Sequence, residues 1–260
     1  MDLDLTGARV LVTGGAGGIG TALCRHLAAE GARVVVHHRR SADRAQALAD
    51  AIDGVAIGAD LTVPEEVEGL VEAAAEALGG LDALVANAGV WPTEPVPVWE
   101  LPVERWRHTV EVDLTGTFLT VRAFLRHVAA RREQTRPPAI VLIGSTAGAV
   151  GEAGHADYAA AKAALQVGLL ASLKNEVVRL HPRARVNAVA PGWTVTPMTE
   201  DQLTDEAVVH ATATMALRKV GVPDDVAHAV AWLLSDRAAG HVTGEVVTVA
   251  GGMEGRLLWH

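Results

Sequence analysis

The 260-residue sequence contains one cysteine, one tyrosine, two phenylalanines and three lysines. A lone cysteine, Cys24, excludes an internal disulfide and suits a reducing compartment. Cys24 itself reads as a packed helical residue. No apolar run approaches the roughly 18 residues that a membrane span needs. The first residues carry acids and lack the basic, apolar leader of a secretory signal, so a cytoplasmic location is expected. Basic charge is also short: acidic residues outnumber basic ones by 31 to 22, for a formal net charge of -9. That field repels polyanions, so neither nucleic acid nor an anionic membrane is an expected partner. No metal site is expected either.

What is present is largely apolar. Half the residues are hydrophobic and 20% are charged, a composition that supplies a large buried core. Short continuous Val/Ile/Leu runs at residues 8–13, 32–36, 55–59, 83–86, 139–144, 185–190 and 245–249 read as strands. Segments of helical period cover 19–30, 41–52, 64–78, 103–132, 156–180 and 224–234, and Pro64 suits a first helical turn. Apolar runs without polar alternation are what strands buried on both faces require. Their alternation with helices implies right-handed βαβ units. The expected fold is therefore α/β: a single doubly wound parallel sheet, a Rossmann fold with helices on both faces, forming one domain over residues 1–260.

Residues 90–102 and 192–222 fit no regular element, although the second stretch is expected to hold a short helix or two. Both follow the carboxyl ends of strands, where open α/β sheets bind ligands, and both are long for plain connections. They are the candidate substrate loops.

Between the first strand and the first helix lie Thr13, Gly14, Gly15, Ala16, Gly17, Gly18, Ile19 and Gly20. Glycines at that point let the backbone turn sharply and approach a diphosphate, while the helix start offers free N–H groups and a positive dipole end. A plain glycine turn is the alternative. The strand before and the helix after favour dinucleotide binding. The spacing is TGxxxGIG rather than GxGxxG.

That spacing resembles the short-chain dehydrogenase/reductase family, and further markers of the family recur in order over essentially the whole chain. Asp60 and Leu61 end the third strand, where the resemblance implies contact with the adenine ring. Asn87, Ala88 and Gly89 match the turn that shapes the cofactor floor. Ser145, Tyr158 and Lys162 match the catalytic set, and Lys162 is also implied to reach the nicotinamide ribose. Pro191 and Gly192 follow the sixth strand, with Thr194 and Thr196 implied near the nicotinamide amide. One position departs from the pattern: Asp113 stands where the family carries an asparagine that bends the long helix and holds a water linked to the lysine. Aspartate cannot donate an amide hydrogen bond, so the water relay is expected in altered form.

The chemistry is intelligible from the residues themselves. Tyr158 and Lys162 are four apart on a helix and share a face. A free phenol, with a pKa near 10, is a poor acid/base at neutral pH. A neighbouring ammonium is expected to lower that value. Tyr158 can then protonate a developing alkoxide or deprotonate an alcohol, and Ser145 can hydrogen-bond the same oxygen.

The second strand ends at His37, His38, Arg39, Arg40 and Ser41 without the aspartate that would hold a ribose diol. Arginines there suit a 2′-phosphate, and His38 could join them. NADP(H) is the favoured cofactor, although Gly17 occupies the place of a second basic NADP marker. NAD(H) is the alternative, as an alcohol or sugar-alcohol dehydrogenase; a cofactor-binding regulator without turnover is a reading from another class. The expected partner is a small carbonyl or alcohol, and the sequence resembles ketone-reducing members such as β-ketoacyl carrier-protein reductases. Trp91, Trp99, Trp193, Glu152 and His155 flank the expected pocket. The resemblance also implies a homo-oligomer, a tetramer built through the two long helices and the C-terminal region, with Leu257, Leu258 and Trp259 suited to burial.

Overall fold

The structure, a computed structural model, describes residues 2–131 and 136–253. Strand β1 (Arg9–Val12) leads through the glycine-rich loop into α1 (Gly18–Ala29), followed by β2 (Arg33–His38), α2 (Ala42–Ala51), β3 (Val55–Gly58), α3 (Pro64–Leu78) and β4 (Ala83–Ala86). The chain continues through α4 (Val103–Val110), α5 (Gly116–Ala130), β5 (Ala139–Ile143), α6 (Ala147–Val150), α7 (Ala156–Ala163) and α8 (Leu170–Glu176). It ends with β6 (Arg185–Pro191), α9 (Asp205–Ala213), α10 (Pro223–Leu234), α11 (Asp236–Ala239) and β7 (Val246–Val249).

All seven strands pair in parallel, in the order β3-β2-β1-β4-β5-β6-β7. Successive strand residues enter opposite layers. Val10, Val12, Val85 and Val141 pack with Leu23 and Leu27 of α1 and Val230 and Leu233 of α10. Leu11, Leu84, Ile140 and Leu142 pack with Leu70 of α3, Phe124 of α5 and Leu173 of α8. Both faces are covered, which is why the strands show no polar alternation. Burial of each such side chain contributes roughly 1.5–3 kcal/mol, so the two layers hold the helices in place. Strand β1 sits between β2 and β4, where the winding reverses, and the carboxyl ends there open a crevice.

Some boundaries differ from the sequence pattern. The helix expected over 103–132 widens into a π-helical turn at Glu111–Thr115, and the one over 156–180 widens at Ala164–Leu169. One extra residue per turn leaves the apolar spacing nearly intact, so periodicity does not register it. Arg132 lies outside the described residues. Strand β2 runs two residues further than its apolar run, pairing His37 with Ile57 and His38 with Gly58. The stretch after β6 does hold the expected short helix, α9.

Asp82 closes the amino end of the sheet just before β4. It accepts the Arg9 backbone N–H at 3.1 Å and Arg9 Nε–H at 2.8 Å, and Arg131 Nη1 stands 3.6 Å away. Burial pushes its carboxyl up, but the Arg9 hydrogen bonds outweigh burial and hold it below the usual carboxylate range. Asp82→Ala removes the carboxylate that both guanidinium groups face. The expected cost is about 3 kcal/mol, read as a lower urea midpoint at unchanged slope; an unchanged midpoint would rule out a stabilising role for this cluster.

Candidate active site

The loop after β1 is held from two neighbouring strands. Thr13 Oγ1 accepts the backbone N–H groups of Asn87 and Ala88 at 2.9 and 3.0 Å, and Asn87 Nδ2 donates to the carbonyls of Thr13 and Gly14 at 2.9 and 3.2 Å. On the β2 side, His37 Nδ1 accepts the Gly14 N–H at 3.0 Å while Nε2 donates to the Ala59 carbonyl at 3.0 Å. Those two bonds need the neutral ring, and burial pushes its pKa down to about 4. Gly14 has φ 61°, and a Cβ on it would stand 2.9 Å from Ala88 Cα. A Cβ on Gly18 would stand 2.6 Å from Thr196 Cβ. These glycines answer to close packing within the protein.

Gly17 is different, because it is exposed and its Cβ would meet only the Gly14 carbonyl, at 3.2 Å. It precedes α1, whose start has neither a side-chain cap nor an acid in the first turn. The N–H groups there remain available to an anion, so the loop fits the diphosphate of a dinucleotide.

A cavity of about 400 Å³ runs along the carboxyl ends of the strands. It is lined by the expected loop residues Gly14, Ala16, Gly17, Gly18 and Ile19, and by His38 and Arg39 after β2. Asp60 and Leu61 after β3, Asn87 and Gly89 after β4, and Pro191, Gly192, Thr194 and Thr196 after β6 complete that wall. Arg40 is exposed and does not line it. Arg44, on α2, does line it and donates to the Ala16 carbonyl at 2.8 Å. Arg39 Nη1 stands 3.8 Å from Asp60 Oδ2. Thr62, donating its N–H at 3.0 Å and its hydroxyl at 2.7 Å to Asp60, is the main reason that carboxyl is held below its usual range.

The same cavity is walled by Ser145, Tyr158 and Lys162. Ser145 stands near enough to the Tyr158 hydroxyl to pull its pKa down. The Ser145 backbone N–H donates to Gln166 Oε1 at 3.1 Å, which anchors it to the widened turn after α7. Lys162 Nζ lies 5.5 Å from the Tyr158 ring centroid and donates to the Ile143 carbonyl at 3.2 Å. Asp113, fully buried in the other widened turn, places Oδ2 3.5 Å from Lys162 Nζ and accepts the Val90 N–H on Oδ1 at 2.8 Å. A Cβ on Gly89 would stand 3.2 Å from both members of that pair. Burial pushes the Asp113 carboxyl up. Burial also lowers the Lys162 pKa, but Asp113 and Tyr158 outweigh it and hold the amine protonated.

One expectation about Tyr158 is corrected. Lys162 does pull its pKa down, but burial pushes it up by more, helped by the carboxylates of Asp113 and Glu152, so the net direction is upward. The resting group is a neutral phenol.

The remaining wall comes from the loops. Trp91, Glu152 and Trp193 line the cavity; Trp91 stacks on His155 with centroids 5.0 Å apart. Trp99 does not line it, being 82% exposed and bonded through Nε1 only to its neighbour Glu100. Residues 90–102 are tied down by Arg105, which donates to the Glu94 carbonyl at 2.6 Å and to Asp157 Oδ2 at 3.0 Å, directly before Tyr158. His37, Arg44 and Gln166 were not singled out from the sequence. Each acts through a partner distant in the chain, and only the position of His37 beside the arginine pair offered a signal.

The chain matches the family model described as enoyl-(acyl carrier protein) reductase over residues 14–254. It is 40% identical to the cis-4-hydroxycyclohexanecarboxylate dehydrogenase of Sinomonas cyclohexanicum, over 93% of this chain and 94% of that one. It is 37% identical to a 3-oxoacyl-(acyl-carrier-protein) reductase of Vibrio cholerae, over 96% and 99%. A crystal structure titled short-chain dehydrogenase/reductase, glucose/ribitol dehydrogenase, from Brucella melitensis superposes with a TM-score of 0.86 at 30% identity, covering 97% of this chain and 98% of that one.

The burial of the His37 ring makes stability depend on pH. An unfolded chain protonates this ring near its ordinary value of 6.5, the folded one only near 4. The contribution is therefore complete above pH 6.5 and lost as pH falls toward 4, by roughly 3 kcal/mol. Unfolding at stepped pH should show a steeper decline in the parent protein than in His37→Gln; parallel curves would remove His37 from this role.

Proposed function

We propose, from the premise that the chain belongs to the short-chain dehydrogenase/reductase family of NAD(P)-dependent oxidoreductases, that it moves a hydride between NADP(H) and a carbonyl or secondary alcohol with Tyr158 as general acid/base. The observation that carries the reading is the convergence of Ser145, Tyr158 and Lys162 on one cavity, with Lys162 Nζ 5.5 Å from the Tyr158 ring centroid. When bound, the nicotinamide supplies or accepts the hydride. The glycine loop and the open start of α1 would hold the diphosphate, Asp60 and Leu61 the adenine, and Lys162 the ribose. Asn87 and Gly89 would shape the floor, and Pro191, Gly192, Thr194 and Thr196 the nicotinamide end.

In reduction, Ser145 and Tyr158 both direct hydroxyl groups at the substrate oxygen, and Tyr158 gives its proton to the alkoxide as it forms. The resting phenol already carries that proton, so reduction needs no prior ionisation. Oxidation needs the phenolate, which burial disfavours. Lys162, kept protonated by Asp113, stabilises the phenolate once the proton has left.

The preference for NADP(H) rests on Arg39, Ser41 and Arg44 at one end of the cavity, where a 2′-phosphate finds two guanidinium groups. NAD(H) remains the second reading because Arg39 is drawn toward Asp60. We read residues 1–260 as one domain, since the described strands form one sheet. Residues 90–102 and 192–222 are taken as substrate loops. Assembly as a homotetramer is supported by exposed Phe118 on α5 and Val167 before α8; the C-terminal Leu257, Leu258 and Trp259 lie outside the described residues. A cytoplasmic setting agrees with a sole cysteine that is buried, its thiol pushed up to about 12.

Tyr158→Phe is expected to lower kcat for carbonyl reduction by at least a hundredfold while leaving cofactor affinity within a few-fold. Near-normal turnover would take Tyr158 out of the mechanism. Fluorescence titration should give tighter binding of NADPH than of NADH, and Arg39→Ala should shrink the difference about tenfold or more. Preference for NADH in the parent protein would reject the arginine reading.

A further inference from the structure

We infer that the loop-built wall of the cavity recognises a second hydroxyl group on a ring-shaped, sugar-like or alicyclic substrate, with Glu152 as the hydrogen-bond partner and Trp91 and Trp193 as the ring contacts. This rests on the carbonyl/alcohol reading above.

The two indoles form an apolar corner, their centroids 5.8 Å apart and their planes at 85°. Such a corner suits the C–H surface of a saturated ring. Glu152 sits in the corner with its side chain 25% exposed. One oxygen is occupied: Oε1 accepts Trp91 Nε1–H at 3.2 Å and lies 3.3 Å from His155 Nδ1 without the alignment of a hydrogen bond. No described residue donates to Oε2, and Glu152 lines the cavity. The carboxylate also raises the Tyr158 pKa, so it stands within electrostatic reach of the reacting oxygen.

Glu152 Oε2 is not among the atoms sealed from solvent, so a ligand in the cavity can bring it a donor. Burial pushes the Glu152 carboxyl up. A neutral hydroxyl can donate to the carboxylate or accept from the acid, whereas an ammonium needs the full negative charge and meets the Lys162 cation. A substrate carboxylate would face Glu152 with like charge. His155 is a positioning residue: buried, with no aligned bond on either ring nitrogen, it braces Trp91 by stacking.

The test is oxidation of cyclohexanol against cyclohexane-1,2-, 1,3- and 1,4-diol with the preferred cofactor. At least one diol should exceed cyclohexanol in kcat/KM by tenfold or more. Glu152→Leu should bring that ratio to within about threefold of one, and Glu152→Gln should give an intermediate ratio. A ratio near one in the parent protein, a ratio unmoved by both substitutions, or a stronger preference for 4-aminocyclohexanol overturns the inference. Calorimetric binding of the same compounds to Tyr158→Phe with cofactor separates the two readings. A diol preference in binding without turnover by the parent protein keeps the Glu152 inference and removes the hydride-transfer reading. Turnover without preference does the reverse, and absence of both binding and turnover overturns the Glu152 inference.

Discussion

Lys162 carries its charge at a depth where water cannot solvate it, and the protein supplies what water would have. Asp113 lies 3.5 Å from the ammonium, the Ile143 carbonyl accepts from it at 3.2 Å, and the face of Tyr158 is 5.5 Å away. Burying such a pair adds little to stability, because desolvation offsets most of the attraction, but removing one partner leaves a stranded charge. Much of the surrounding structure follows from keeping the pair intact. Gly89 lies against both groups, where a Cβ would stand 3.2 Å from each and oblige them to give way slightly. The Val90 N–H must point at Asp113 Oδ1, which fixes the chain as it enters residues 90–102. Both long helices carry a π-helical turn, one containing Asp113 and one starting two residues after Lys162. Wide turns of this kind recur at functional sites because they re-aim side chains that a regular helix would point elsewhere.

The Asp113 carboxylate has an electrostatic consequence for Tyr158. Its charge holds Lys162 protonated but pushes the phenol toward its neutral form, so the two effects oppose each other at the same hydroxyl. The carboxylate thereby favours the neutral phenol, the form that the proposed reduction would use.

The sheet was legible because its strands are short continuous apolar runs and because both faces are buried; Val10 and Leu11 differ only in which layer they enter. The glycine loop was legible because it sits directly between β1 and α1, and Tyr158 and Lys162 because they lie one turn apart on α7; Ser145, after β5, lines the same cavity. The π-helical turns were not, since an inserted residue barely disturbs apolar spacing. His37 was passed over because a buried histidine in a strand and a solvated one in a loop look alike until its partners, Gly14 and Ala59, are known. The direction of the Tyr158 shift was missed for a related reason: the lysine was visible in sequence, the depth of burial was not. Trp99 failed as a pocket residue because an aromatic ring in a loop carries no indication of which way it faces.

The contrast between the two walls of the cavity explains why the chemistry could be read sooner than the substrate. The cofactor wall comes from the ends of adjacent strands, whose register holds the glycine loop, Asn87 and Thr13 within hydrogen-bond reach of one another. The substrate wall joins Trp91 to Glu152 across 61 residues and is braced by Arg105, Asp157 and His155 from other elements. Those contacts join elements far apart in the chain, so no local spacing announces them. A carboxylate with one oxygen tied and the other open to the cavity is therefore visible only once the chain is folded.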